Sequence, residues 1–141
     1  MNIIYNDQKK DLPVDRLMYL FESVGWAKNE DLEVTEEILK GFMKPWLHST
    51  LVISAWDDSR LVGAVRVLSD TIFRSVIYDL LVDPEYQGIG IGKELVGRCI
   101  KHFPYSEWLV RTEKEISGYY ESIGFTISDG VFLTMDNRSF L

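Results

Sequence analysis

Cysteine and long apolar runs are both scarce in this sequence, and each shortage excludes a class of protein. The 141 residues include a single cysteine, Cys99, which excludes an internal disulfide and a metal site built from several cysteines. A chain without disulfides is typical of a reducing compartment, so we expect the cytoplasm. The apolar runs fall well short of the roughly 20 residues that a membrane helix needs, and residues 1–10 lack the apolar core of a signal peptide. We therefore expect no membrane partner and no metal.

Basic residues are outnumbered by acidic ones, 15 to 22, which leaves a formal net charge of −7. An acidic protein is poorly suited to a polyanionic nucleic acid and better suited to a cationic ligand, although surplus carboxylates also keep a protein in solution. Hydrophobic residues make up 46% of the chain, enough for a folded core. We expect a single domain, residues 1–141, that binds no nucleic acid.

Hydrophobic periodicity predicts strands and helices in the order βααβββαβαββ. The strands are expected at Asn2–Tyr5, Leu51–Trp56, Leu61–Leu68, Val76–Val82, Trp108–Arg111, Phe125–Ile127 and Val131–Met135. The helices are expected between Pro13 and Gly25, Thr35 and Leu47, Ile91 and Phe103, and Glu115 and Ile123. Strands joined both by hairpins and by helices indicate an α/β fold, with a mixed central sheet of about six to seven strands and helices on both faces.

A glycine-rich turn joins the fourth predicted strand to the third predicted helix. It reads Gln87-Gly88-Ile89-Gly90-Ile91-Gly92, and Lys93 follows in the first helical turn. Glycines let a backbone approach a ligand closely, and a helix N-terminus offers unpaired N–H groups and a positive dipole end. The turn therefore predicts a site for a phosphate or pyrophosphate.

Two nucleotide-binding patterns do not fit this turn. The dinucleotide fingerprint G-x-G-x-x-G would need its third glycine at Lys93 or Leu95. The P-loop would need a hydroxyl residue where Glu94 stands and a glycine where Gln87 stands. Both alternatives are excluded.

The turn resembles the pyrophosphate-binding signature of the GCN5-related N-acetyltransferase (GNAT) family, which reads Gln or Arg, two residues, Gly, one residue, and Gly or Ala. Gln87, Gly90 and Gly92 match that signature. A second family element, a tyrosine shortly before a Gly-Phe pair, is similar to the run from Tyr119 to Phe125. The resemblance extends to the order of elements along the whole chain.

The resemblance implies that acetyl-CoA is the co-substrate. Its pyrophosphate would be bound within the segment Gln87–Lys93, through the backbone of Gly88–Gly92, and its pantetheine arm by the backbone of Leu81 and Val82. The family often has Asn and Ala where this chain has Glu113 and Ile116, so no side-chain contact is carried over from that region. The activity implied is direct transfer of an acetyl group to an amine.

The resemblance also implies an acid for the leaving thiolate, Tyr120, whose hydroxyl would face the coenzyme sulfur. Tyr120 also lies on the apolar stripe of its helix, so a core aromatic is the alternative, and Tyr119 is expected to be a packing residue. A general acid must lie within hydrogen-bond reach of the atom that it protonates.

Asp79 is the candidate general base, because it is a carboxylate within an otherwise apolar strand. Burial would raise the proton affinity of such a group, and a carboxylate there needs a partner or a wet cleft. The alternatives are a structural carboxylate bonded to neighbouring backbone or to an arginine such as Arg66, catalysis by Tyr78, or a relay through water.

The acceptor is expected to be a primary amine, for which a small molecule is favoured over a protein N-terminus or lysine. The run Trp56-Asp57-Asp58 together with Asp79 is similar to arylalkylamine-type acetyltransferases. Aromatic side chains that either line the acceptor pocket or belong to the core are Tyr19, Phe21, Trp26, Phe42 and Trp46. A non-catalytic acyl-CoA sensor is the alternative outside the enzymes, and a homodimer is left open.

The remaining nucleophiles and bases have simpler interpretations. His48 ends the second helix near the expected acceptor side, whereas His102 lies at a helix C-terminus, where a cation favours the dipole. Cys99 falls on the apolar stripe of its helix and is expected in the core.

Overall fold

The computed structural model describes residues 2–24 and 36–135, in two compact units, Met1–Arg111 and Thr112–Leu141. Three positions used above, Gly25, Trp26 and Thr35, lie outside the described residues. Whether the whole chain acts as one domain stays a prediction.

The described residues of the first unit form a mixed sheet of five strands in the order β1-β2-β3-β4-β5. Their bounds are β1 Ile3–Asn6, β2 Leu51–Asp57, β3 Arg60–Ser69, β4 Arg74–Val82 and β5 Glu107–Val110. The first four pair antiparallel, and β5 pairs parallel to β4 after a helical crossover. A tight turn joins β2 to β3, where Asp58 adopts a left-handed φ of 51°. The predicted mixed α/β sheet is confirmed.

The described helices lie close to their predicted positions. They are α1 Val14–Ser23, α2 Glu36–Leu47, α3 Ile91–His102 and α4 Ser117–Ser122, with a 3₁₀ turn at Pro84–Tyr86. Pro13 stands just before α1, and its carbonyl accepts the N–H of Leu17. A proline fits the start of a helix because an N–H group there would have no partner within the helix. The predicted helices are confirmed where the structure describes them.

The helices of the first unit cover both faces of the sheet. Adjacent residues of a strand point to opposite faces. A Cβ on Gly63 of β3 would lie 3.2 Å from Ile91 of α3, whereas Ala64 joins a buried cluster with residues of α1 and α2. That cluster contains Leu12, Leu17, Leu20, Trp46, Val52, Leu61, Ala64 and Leu81. Helices on both faces are therefore confirmed.

The two closing strands predicted at Phe125–Ile127 and Val131–Met135 are wrong. The described residues of the second unit form no β-ladder, so the sheet has five strands rather than six to seven. Val131, Leu133 and Met135 are 84%, 90% and 84% exposed. Apolar residues in a short run favour an extended segment, but a strand also needs a partner for its backbone groups, and the pattern does not specify one.

Candidate functional site

Two glycines shape the turn before α3. Gly88 and Gly90 have φ values of 82° and 93°, in the left-handed region that side chains disfavour. A Cβ at either position would meet nothing within 4 Å, so the backbone conformation, rather than crowding within the protein, requires glycine. Residues 87–90 are exposed, whereas Ile91 and Gly92 are buried as α3 begins.

The exposed residues of the turn, 87–90, lead directly into the N-terminus of α3. Gly90 is the N-cap and has no side chain to satisfy the first backbone N–H groups. The Gly90 carbonyl accepts the N–H of Glu94 at 3.0 Å, which is the first regular bond of the helix. The N–H groups of the three residues before Glu94 therefore have no acceptor within the helix. Lys93 adds an exposed cation in the same turn. Such a site suits a phosphate or pyrophosphate.

A buried carboxylate, Asp83, positions the segment that leads into this turn. Its side chain is fully buried, Oδ1 accepts from the Glu85 N–H at 3.0 Å, and Oδ2 accepts from Arg16 at 2.9 Å. Its own N–H donates to the carbonyl of Val62 at 2.8 Å. Sequence reasoning missed both Asp83 and Arg16. Asp83 could have been predicted as a helix cap, because an Asp followed by Pro is typical of the start of a helical turn. Nothing in the sequence of α1 indicates that Arg16 pairs with Asp83.

Two further contacts fix the lead-in. The Tyr86 hydroxyl donates to Oδ2 of Asp57 at 2.7 Å, and this bond raises the pKa of the Tyr86 hydroxyl, which keeps it a donor. Gln87 turns its side-chain Nε2 back onto the carbonyl of Val82 at 3.0 Å. The base of the turn is therefore tied to β2 and to the end of β4.

The edge of β4 opens just before the turn. β4 pairs with β5 from Arg74 to Ile77 only, so residues 78–82 have no β5 partner among the described residues. On the other edge Arg66 pairs with Asp79 and Val67 pairs with Ile77, which leaves Tyr78 as a bulged residue. A bulge re-aims side chains and interrupts pairing. Leu81 and Val82, predicted to bind the pantetheine arm, lie on this open stretch.

Asp79 forms an ion pair on β4. Its Oδ2 accepts from Nε of Arg66 at 2.8 Å, with 21% and 15% of the two side chains exposed. Arg66 also lies over the ring of Tyr78 at 5.3 Å and donates to Oγ of Ser49 at 3.4 Å. The arginine partner that the sequence left open is therefore present, and no donor to Oδ1 is found among the described residues.

Tyr120 lies in the second unit, on α4. Its ring is half-buried and makes edge-to-face contacts with Tyr119 and Phe125, at centroid distances of 5.3 and 5.8 Å. The Tyr120 carbonyl accepts the N–H groups of Ile123 and Phe125 just after α4 ends at Ser122, and Gly124 in this turn has a φ of 113°. Burial raises the pKa of the Tyr119 hydroxyl above its ordinary value. The acid role of Tyr120 stays a prediction.

The candidate acceptor aromatics divide between core and surface. Trp46 is 1% exposed, and Phe21 packs edge-to-face against both Phe42 and Trp46. Tyr19 is 40% exposed and lies under the guanidinium of Arg16 at 4.7 Å. Among the described aromatics of α1 and α2, Tyr19 is thus the one most open to a ligand.

The other titratable candidates have structural surroundings. His102 lies 3.0 Å from Asp7, whose pKa is lowered by hydrogen bonds from Gln8 and His102, and His48 is exposed. Burial raises the pKa of the Cys99 thiol to about 12.

The described residues contain no group of His, Cys, Asp and Glu side chains that could hold a metal ion. Within the same ranges, every helix is too short or too polar to cross a membrane.

Several curated proteins are similar to this chain. An uncharacterized N-acetyltransferase of Porphyra purpurea is 31% identical over 86% of this chain and 70% of its own length. The GCN5-related N-acetyltransferase 2 of Arabidopsis thaliana, named chloroplastic, is 28% identical over 82% of this chain. The serotonin N-acetyltransferase 2 of Oryza sativa subsp. japonica, also named chloroplastic, is 27% identical over 82% of this chain. The chain spans 50% of the Arabidopsis protein and 58% of the rice protein.

A solved structure and a family model agree with these relatives. A GNAT-family acetyltransferase of Streptococcus pneumoniae TIGR4 matches with a TM-score of 0.74 and 25% identity, covering 97% of this chain and 99% of the other. Residues 20–134 match the family model described as an acetyltransferase (GNAT) domain. The chain therefore belongs to the GNAT family of acetyltransferases.

Proposed function

We propose that the protein transfers the acetyl group of acetyl-CoA to a primary amine of a small molecule, giving the acetylamide and free coenzyme. The observation that carries the proposal is the turn of Gln87–Gly92, whose two exposed, left-handed glycines lead into an N-terminus of α3 that has no side-chain cap, in a chain of this family.

The coenzyme binds through backbone groups. The N–H groups of the turn and of the first residues of α3 bind the pyrophosphate, and Lys93 adds a positive charge. The extended pantetheine arm lies along the open edge of β4 and bonds the backbone of Leu81 and Val82. Support for this arrangement comes from the early end of the β4–β5 pairing at Ile77.

The reaction requires no covalent enzyme intermediate, because amine and thioester are held side by side. The amine nitrogen attacks the thioester carbonyl, the new C–N bond forms, and the C–S bond breaks. Asp79 accepts a proton from the amine, and Tyr120 donates one to the leaving thiolate. The second carboxylate oxygen of Asp79 faces no protein donor among the described residues, which supports a role toward a cationic substrate.

An arylalkylamine is the favoured acceptor. The rice relative is named for acetylation of serotonin, which is such an amine, and the net charge of −7 suits a cationic ligand. The exposed ring of Tyr19 offers an aromatic surface on α1. A protein N-terminus or lysine is the second candidate within the enzymes. The cytoplasm stays a prediction, since two of the relatives are named chloroplastic.

The test is release of free coenzyme thiol from acetyl-CoA against a panel of amines. The panel contains arylalkylamines, aliphatic amines, a lysine peptide and a peptide with a free N-terminus. We expect the highest kcat/KM with an arylalkylamine and formation of its acetylamide by mass spectrometry. Binding of acetyl-CoA without turnover of any amine would instead identify an acyl-CoA sensor, and a peptide preference would replace the small-molecule acceptor.

A further inference from the structure

We propose that Arg16 is a positioning residue for the coenzyme-binding turn. Its guanidinium joins α1 to β3 and to the lead-in of the turn. Nε and Nη2 donate to the carbonyl of Leu61 at 3.1 and 2.7 Å, and Nη2 also donates to Asp83 at 2.9 Å. The inference rests on the proposed function, because it concerns how that site is held for the pyrophosphate.

Asp83 transmits the position of Arg16 to the turn. Both of its carboxylate oxygens are committed, one to Arg16 and one to the N–H of Glu85, and the side chain is fully buried. Its backbone N–H is also bonded, to Val62. A residue held at three points has little freedom, so the chain leaves it in one direction, toward Gln87 and the glycines.

The ion pair also matters electrostatically. A buried carboxylate is costly without a partner, and Asp83 stands only five residues before Gly88 in the segment that receives a pyrophosphate. Arg16 neutralises this negative charge beside an anion site. Arg60 contributes less, because it lies 3.7 Å from Asp83, is 47% exposed and is shared with Glu85.

A truncated acetyl donor separates positioning from general stability. S-acetyl-pantetheine keeps the thioester and the arm but lacks the pyrophosphate. We expect Arg16→Met to lower kcat/KM for acetyl-CoA at least about tenfold more than kcat/KM for S-acetyl-pantetheine, with one amine used throughout. A loss of folded protein alone would reduce both values by the same factor.

Arg74→Met is the control. Arg74 makes an exposed ion pair with Glu107 at 3.6 Å, and it lies at the start of β4, whereas the turn follows the end of that strand. We expect no donor-dependent loss in this variant. Arg16→Lys keeps the charge but not the fork of donors, and we expect it to recover part of the acetyl-CoA activity.

A double variant keeps the test decisive if Arg16→Met folds poorly. Arg16→Met with Asp83→Asn removes the unpaired charge while leaving an oxygen to cap Glu85, so the pyrophosphate-dependent loss should shrink. Equal losses for both donors in the folded variants would overturn this inference alone. Failure of the wild-type protein to bind acetyl-CoA would overturn the proposed function and this inference with it.

Discussion

Asp79 on β4 accepts a 2.8 Å hydrogen bond from Arg66, its direct cross-strand neighbour on β3. The pair lies beside the bulge at Tyr78, where the β4 ladder is interrupted. Arg66 therefore holds one oxygen of the carboxylate, which orients Asp79 for the role of base that we propose.

Replacing Asp79 by Asn tests that role. We expect Asp79→Asn to lower kcat/KM for the amine on the order of a hundredfold at neutral pH, because a protonated amine cannot attack. The deficit should shrink as the pH approaches the pKa of the amine, since more of the amine is then already neutral before it attacks, and its remaining surplus proton can pass to water. Glu107→Gln, which removes the carboxylate of the exposed Arg74 pair, should leave the rate unchanged. A deficit of constant size at every pH would mark Asp79 as structural.

Tyr120→Phe removes one hydroxyl and keeps the ring contacts with Tyr119 and Phe125. If the hydroxyl protonates the leaving thiolate, kcat should fall on the order of a hundredfold while the affinity for acetyl-CoA changes little. Tyr119→Phe is the neighbouring control, and its kcat should stay close to that of the wild type. Steady-state kinetics on the folded variants decide the question, and a kcat of Tyr120→Phe within about threefold of the wild type would make Tyr120 a packing residue.

Gly63 sets how closely α3 approaches the sheet. A Cβ there would lie 3.2 Å from Cγ2 of Ile91 and 3.3 Å from Cδ1 of Leu95, so Gly63→Ala should destabilise the fold by about 1–3 kcal/mol. Gly97→Ala is the same change within α3, where a Cβ meets nothing within 4 Å, and it should stabilise by up to about 1 kcal/mol. Denaturant unfolding measures both. Equal effects at the two positions would contradict the close packing at Gly63.

The buried thiol of Cys99 should be inert in the native protein. Its pKa is raised to about 12, so almost none of the reactive thiolate exists at neutral pH. We expect no reaction with a disulfide reagent until guanidinium unfolds the chain, after which one thiol per chain reacts. Rapid reaction of the folded protein would show that α3 opens readily from the sheet, and it would add background to the thiol-release assay.

Local patterns predicted the position of the glycine turn and the start of α3 well, and its binding of the coenzyme stays a prediction. The spacing of Gln87, Gly90 and Gly92 lies within six consecutive residues, and the left-handed φ of Gly90 is a property of that short segment. A helix start needs only its own first turn, so sequence alone can locate it.

Contacts between distant segments were not predictable in the same way. Arg16 and Asp83 are 67 positions apart, and their pairing depends on how α1 packs over β3. Val131 and Leu133 resemble strand residues, but a strand forms only where another backbone accepts its bonds. For Asp79 the sequence left two interpretations, a catalytic base and a structural carboxylate paired with an arginine. The structure shows the ion pair with Arg66, and the catalytic role stays a prediction.

Calorimetric titration of acetyl-CoA into the wild type and Gly90→Asp tests the central claim most directly. The new carboxylate would occupy the space that we assign to the pyrophosphate and repel it, whereas Gly90→Asn introduces a similar shape and the same backbone strain at φ 93° without the charge. The account predicts one acetyl-CoA bound per wild-type chain, weaker binding by Gly90→Asn, and no measurable binding by folded Gly90→Asp. Equal affinity of the wild type and folded Gly90→Asp would contradict it.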